Sequence, residues 1–294
     1  MNLKGLGAVL LGVGVLAAAC RSRAAAPRVK EEELTLGGLK VTVWSAPAAR
    51  SAQPVIFFSH GFHGCATQSR FLMEAMAADG YIVLAPNHRD ATCNGGESSW
   101  TEKAAVPLGR PDEWEASTYR DRAEDFRRLV EAGKAEERLR GRIDWSHLGL
   151  AGHSLGGYTV LGIGGGWPSW TLPGVKAVLA LSPYAQPFVV QRTLGGLSVP
   201  VMYQSGTLDF GVTPALHRVS GAFDQSPSPK YFVEFEGAGH FAWTNVGRAD
   251  RDGIVAYSLA FLDRYVKGSP AAPVLTQSLP GVAVYRYESE LGRR

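Results

Sequence analysis

Ten consecutive residues, Leu148 to Gly157, constrain the fold more than any other part of the chain. An apolar run, Leu148-Gly149-Leu150-Ala151, leads into Gly152-His153-Ser154-Leu155-Gly156, and Gly157 follows. A short apolar run reads as a buried strand, and the pattern G-x-S-x-G at its end reads as a sharp strand-to-helix turn with a serine at its apex. Glycines two positions either side of the serine let strand and helix pass close together, while the serine is held in a strained backbone conformation. An ordinary glycine-rich turn would look the same locally. The rest of the chain must therefore supply the partners a serine nucleophile needs.

The remaining apolar pattern fits such a turn. Leu34 to Trp44 alternates and predicts leading antiparallel strands. Pro54 to His60 predicts a buried central strand, with further strands at Tyr81 to Pro86, Ala177 to Leu181, Val199 to Gln204 and Tyr231 to Glu236. Helical patterns fall between and after them: Thr67 to Asp79, Asp112 to Ala132, Ser154 to Gly164, Thr213 to Phe223 and Asp250 to Val266. Strands alternating with helices predict an α/β fold with a mostly parallel central sheet and helices on both faces. The chain has 294 residues, 45% of them hydrophobic, which suits one large domain over residues 27–294. No large cap domain follows Ala177 to Leu181, and Val282 to Tyr287 predicts one more strand packed on the outside. Ala91 to Pro111 is a long polar connection of the kind that is usually functional or mobile.

Residues 1–26 read as an export signal and tether. Lys4 gives a positive start, and Gly5 to Ala19 is an apolar run too short to span a bilayer comfortably. It ends in Leu16-Ala17-Ala18-Ala19-Cys20, which resembles a bacterial lipoprotein signal and implies a lipid on Cys20. That expectation gives a membrane partner through the lipid anchor and an address in the cell envelope. A simple secretory signal cleaved around Ala24 to Ala26 is the alternative. In an oxidising compartment Cys65 and Cys93, each following a central strand at the same sheet edge, form a plausible disulfide; two unpaired thiols are the alternative. A net charge of +3 with no long basic run argues against a nucleic-acid partner. No His, Cys and carboxylate cluster has metal-ligand spacing, and Gly162 to Gly166 comes too late in its helix for a phosphate loop. Neither a metal nor another cofactor is expected.

A serine hydroxyl needs a base, an acid to orient the base, and donors for the oxyanion. In this architecture the chain order is serine, carboxylate, histidine. After Ser154 only His240, in Gly237-Ala238-Gly239-His240-Phe241, sits in a loop following a strand; His217 falls inside a helical pattern. Between Ser154 and His240 lie four carboxylates. Glu234 and Glu236 are on the strand leading to His240, and Asp224 is in a Ser/Pro-rich loop. Asp209 follows Val199 to Gln204 at the carboxyl end of the sheet, where open α/β folds bind ligands. Ser154, Asp209 and His240 are thus the expected catalytic set. The expected oxyanion donors are the N–H groups of Leu155 and of Phe62, in the loop His60-Gly61-Phe62-His63-Gly64. His63, Tyr184, Phe210, Phe241 and Trp243 are expected to line the substrate pocket, with Trp167 and Trp170 nearby. Aromatics are ordinary core residues too.

Together these residues resemble the α/β-hydrolase superfamily. Phe58-Ser59-His60-Gly61-Phe62 with Asn87-His88-Arg89-Asp90 is similar to the platelet-activating-factor acetylhydrolase and dienelactone-hydrolase-like group, and bacterial polyester hydrolases and cutinases share the layout. The likeness covers roughly Val41 to Lys267. Dienelactone hydrolases carry a cysteine at the turn, where this chain has Ser154. The animal acetylhydrolases place their acid after the next strand, where this chain reads Leu181-Ser182-Pro183. The acid at Asp209 matches the polyester-hydrolase arrangement. The resemblance implies a serine carboxylic ester hydrolase acting through an acyl-enzyme, on a small-molecule or polymeric ester. A peptidase or acyltransferase shares the same chemistry, and a non-catalytic binding protein would usually lack one of the three residues.

Overall fold

Lys30–Leu36 (β1) buries Leu34 and Leu36, Leu39–Ser45 (β2) is buried at every position but Lys40, and Gly37 and Gly38, both at positive φ, make the tight turn that pairs them antiparallel. They open a ten-stranded sheet in this computed structural model, which describes residues 28–47, 51–94, 103–247 and 250–294. The export segment, Cys20 and part of the Ala91 to Pro111 connection lie outside the described residues. The remaining strands are β3 (Gln53–Ser59), β4 (Ile82–Pro86), β5 (Ile143–His153), β6 (Val175–Leu181), β7 (Val201–Gly206), β8 (Lys230–Phe235), β9 (Val282–Ser289) and β10 (Gly292–Arg293). Their order is β1-β2-β4-β3-β5-β6-β7-β8-β9-β10. The six from β4 to β8 run parallel, and antiparallel strands close both ends. The strand expected over Val282 to Tyr287, β9, is therefore a member of the sheet, with Tyr231 opposite Tyr287, rather than packed outside it.

Among the described residues seven helices pack on the two faces: α1 (Arg70–Ala78), α2 (Arg120–Ala135), α3 (Leu155–Leu161), α4 (Gln186–Gln191), α5 (Thr213–His217), α6 (Ala222–Gln225) and α7 (Arg251–Tyr265). Leu72, Met73 and Met76 of α1 join Ile254, Tyr257 and Phe261 of α7 in one core, on one face of the sheet. Phe126 and Leu129 of α2, α3 and Phe188 of α4 fill the other. Among the described residues β6 and β7 are joined only by α4 and a one-turn helix, so no cap is inserted there.

Two helices differ from the sequence expectation for local reasons. α2 begins at Arg120, because Tyr119 adopts a left-handed φ of 61° and a separate turn occupies Pro111–Glu113. The stretch Thr213 to Phe223 breaks into α5 and α6, with Ser220 at φ 59° between them.

Candidate active site

β3 continues through α1 to β4 on one side, and β5 continues through α3 to β6 on the other. The loops leaving β3 and β5 therefore diverge, and the crevice between their carboxyl ends is a topological switch point. Ser154 stands there with φ 55° and ψ −116°. Only glycine permits this crossing: a Cβ on Gly156 would lie 1.9 Å from Ser59 O, and one on Gly152 would lie 2.3 Å from Gly156 O.

The turns after β7 and β8 bring the other two residues to the serine. They are laced together by Leu208 N–H donating to Ala238 O at 2.9 Å and by Gly237 N–H donating to Thr207 Oγ1 at 2.9 Å. Asp209 is buried, and His240 is part-exposed. His240 Nδ1–H donates to Asp209 Oδ2 at 2.9 Å, so Nε2 carries the lone pair that accepts Ser154 Oγ–H at 2.9 Å. Ser182, at the end of β6, donates its hydroxyl to Asp209 Oδ2 and lies 3.0 Å from His240 Nδ1.

In the turn after β3, three of the four N–H groups from Gly61 to Gly64 are spent. Gly61 N–H donates to Gln68 Oε1, His63 N–H to Asp90 Oδ2 and Gly64 N–H to Gly61 O. Phe62 N–H has no acceptor among the described residues. Nor does Leu155 N–H, in the first turn of α3, where helix geometry offers none. His153 links this turn to the His240 loop. Its Nε2–H donates to His240 O at 2.8 Å, so Nδ1 accepts from Gln68 Nε2 at 3.1 Å. Burial, with His240 nearby, pushes the His153 pKa down to about 3. The ring is therefore neutral, as its two bonds require.

Two cavities of about 420 Å³ each flank Ser154 and His240, and Phe62 and Leu108 border both. One is also lined by His63, Gln68, Phe241 and Val246, the other by Leu155, Tyr184 and Val212. Trp243 and Phe210 line neither. Trp243 is wholly buried with Nε1–H on Gln204 Oε1, and Phe210 is 76% exposed beside Asp209. Trp167 and Trp170 are core residues as well, bonded to Tyr158 Oη and Ala116 O. His217 stays away from the site, stacked on Phe232. Cys65 and Cys93 are joined in a disulfide, with Cα atoms 6.0 Å apart, at the border of the Phe62 turn.

Sequence reasoning missed Leu108, Gln68, Ser182 and Arg122. Leu108 is held over the site by Tyr184 Oη–H donating to its carbonyl at 2.5 Å, a contact no local pattern encodes. Arg122 did leave a signal. Arg122, Asp125, Phe126 and Leu129 recur at i, i+3, i+4 and i+7, the spacing of a buried helix stripe, and all four are buried. A helix so rich in charge reads as solvated, and that hides the stripe.

The parallel sheet, the serine at its strained turn and the histidine and carboxylate beyond β8 and β7 define an α/β-hydrolase fold. Residues 111–270 match the family described as PET hydrolase-like, and the chain belongs to that family. Residues 28–114 match a second family description, platelet-activating factor acetylhydrolase, isoform II. Cutinase est2 of Thermobifida alba is 26% identical over 222 residues, covering 75% of this chain and 62% of that protein. A cutinase of Thermobifida fusca (strain YX) is 25% identical over 224 residues, covering 75% and 62%. Platelet-activating factor acetylhydrolase of Cavia porcellus is 26% identical over 159 residues, covering 44% and 36%. The chain thus spans about 62% of the length of these two cutinases.

Proposed function

We propose that the chain is a carboxylic ester hydrolase that works through Ser154, His240 and Asp209. The observation that carries this reading is the pair of 2.9 Å hydrogen bonds joining His240 to Ser154 Oγ on one nitrogen and to Asp209 on the other. His240 Nε2 takes the serine proton as Oγ attacks the ester carbonyl. Asp209 holds the ring in the required tautomer and stabilises the imidazolium. The developing oxyanion meets the N–H groups of Phe62 and Leu155. His240 then returns the proton to the departing alcohol, leaving an acyl group on Ser154. A water deprotonated by His240 releases the acid and restores the serine.

The mainly apolar lining of both cavities supports a neutral ester with an apolar group on each side of the reacting carbonyl. The relatives' names span cutinases and an acetylhydrolase, so acyl length is the property to measure. Turnover of p-nitrophenyl esters from acetate to palmitate, with Ser154→Ala alongside, tests the reading. Wild-type turnover on at least part of the panel and a loss of roughly 10⁴-fold or more in Ser154→Ala are expected. No turnover by a folded wild-type protein, or an active Ser154→Ala, contradicts it.

We also infer an address outside the cytoplasm. The Cys65–Cys93 disulfide and the export-like residues 1–26 support it. Mass analysis of the mature N-terminus tests the anchor: a lipid-modified Cys20 is expected, and an unmodified terminus near Ala24 to Ala26 would mean a released protein.

A further inference from the structure

Arg122 is a fully buried cation whose guanidinium grips the turn that carries Phe62. Nη1 donates to His60 O at 2.8 Å and Nη2 to Gly61 O at 3.3 Å. Nε and Nη2 form a fork on Asp90, at 3.1 Å and 2.8 Å to Oδ1 and 2.7 Å to Oδ2. Asp90 in turn accepts His63 N–H at 3.2 Å. One buried ion pair therefore holds two carbonyls and one N–H of residues 60–63. His60 adds a third grip. Its Nε2 accepts His88 N–H at 3.0 Å, so its Nδ1–H donates to Gly61 O at 2.7 Å.

A buried ion pair is a poor device for stability alone, since well-packed apolar residues of like volume commonly do as well or better. The geometry shows what else this pair does. In a trans peptide the C=O and the following N–H point in opposite directions. Gly61 O is fixed by Arg122, by His60 and by Gly64 N–H at 3.0 Å. The Phe62 N–H on the same peptide must then face away from Arg122, toward the crevice that holds Ser154. A half-turn of that peptide would present an oxygen where negative charge develops.

We propose that Arg122, fixed by Asp90, is a positioning residue that aims the Phe62 N–H at the oxyanion. The proposal rests on the ester-hydrolase reading given above. It explains why the His88-Arg89-Asp90 stretch and α2, neither of which touches Ser154, converge beneath this one turn. Arg122 acts through the backbone and makes no contact with substrate.

Arg122→Lys keeps the charge opposite Asp90 but replaces the planar fork with a point donor. Kinetics on a soluble short-chain p-nitrophenyl ester should show kcat lowered about 100-fold, as for loss of one oxyanion donor, with KM changed less than about 3-fold. Affinity for a trifluoromethyl ketone, which binds as an oxyanion, should fall by a similar factor, while a matching amide inhibitor binds as before. A double variant, Arg122→Met with Asp90→Asn, removes both charges and guards against simple misfolding. It should melt as a folded protein and show the same kcat loss. Wild-type kcat and ketone affinity in either folded variant, with Ser154→Ala inactive, would overturn the proposal alone. An active Ser154→Ala would overturn the underlying reading and the proposal with it.

Discussion

A carboxylate orients a histidine only if it is itself held. Asp209 receives the Ser182 hydroxyl in addition to His240 Nδ1–H. Ser182 occupies a left-handed φ of 42° and anchors its N–H on Gln204 O at 2.7 Å. A non-glycine residue in that region is strained, and such strain persists only where neighbours hold it. The hydroxyl is thus aimed rather than incidental. Ser182→Ala should leave the protein folded and lower kcat about 10-fold with little change in KM, in line with one hydrogen bond to a charged group. Steady-state kinetics would read this directly, and an unchanged kcat would mean that Asp209 needs no such support. Elimination among carboxylates led to Asp209 because only four lay between Ser154 and His240. Ser182 could not be found that way. A serine before a proline carries no signature, and its partner is distant in sequence.

At the scale of elements, the strand–turn–helix crossing is the most demanding feature. The carbonyl of Ser59 belongs to the neighbouring strand β3 and cannot yield to a methyl group at position 156. Gly156→Ala should therefore cost about 3 kcal/mol or more. Gly195→Ala, where nothing lies within 4 Å of the added Cβ, should stay within about 0.5 kcal/mol. Urea denaturation of the two variants separates the cases, and equal stabilities would contradict the crossing geometry. The parallel strands were legible because full burial on both faces writes continuous apolar runs, as in Val55 to Phe58 and Ala177 to Leu181. Helix boundaries were less so. Charge and periodicity predict a start at Asp112, but the left-handed Tyr119 is set by tertiary packing against Trp114 and Phe62. Trp243 departs from its expected place in the pocket for a related reason. It follows His240 closely in sequence, yet the turn between them directs it into the core.

For the whole molecule, three buried histidines tie the chemistry to acid stability. His60 and His88 are pushed well below the usual imidazole range by burial and then by Arg122; His153 is pushed down to about 3 by burial and His240. The unfolded chain therefore takes up protons first as pH falls. The stability that depends on these neutral rings is complete above about pH 6.5, the ordinary histidine value. It declines below that, in the case of His153 until pH reaches its folded value of about 3. Asp90 reinforces the loss at the acid end: burial pushes its carboxyl up, but the charge and hydrogen bonds of Arg122 together with His60 and His88 hold it below the normal range. Asp125, raised by burial, works in the opposite sense. His153→Gln should flatten the fall of stability between pH 6 and 4 by about 1.4 kcal/mol per pH unit. Urea unfolding across that range measures it, and an unchanged slope would mean that His153 is not neutral in the folded protein.

The account as a whole depends on Ser154 being the one nucleophile. The most direct test is intact-mass and peptide mapping after exposure to diethyl p-nitrophenyl phosphate, which leaves a diethylphosphoryl group on an activated serine. One adduct per chain, on the peptide containing Ser154 and missing from Ser154→Ala, is the predicted result. An adduct on another residue, or a folded wild-type protein that takes none, would contradict it.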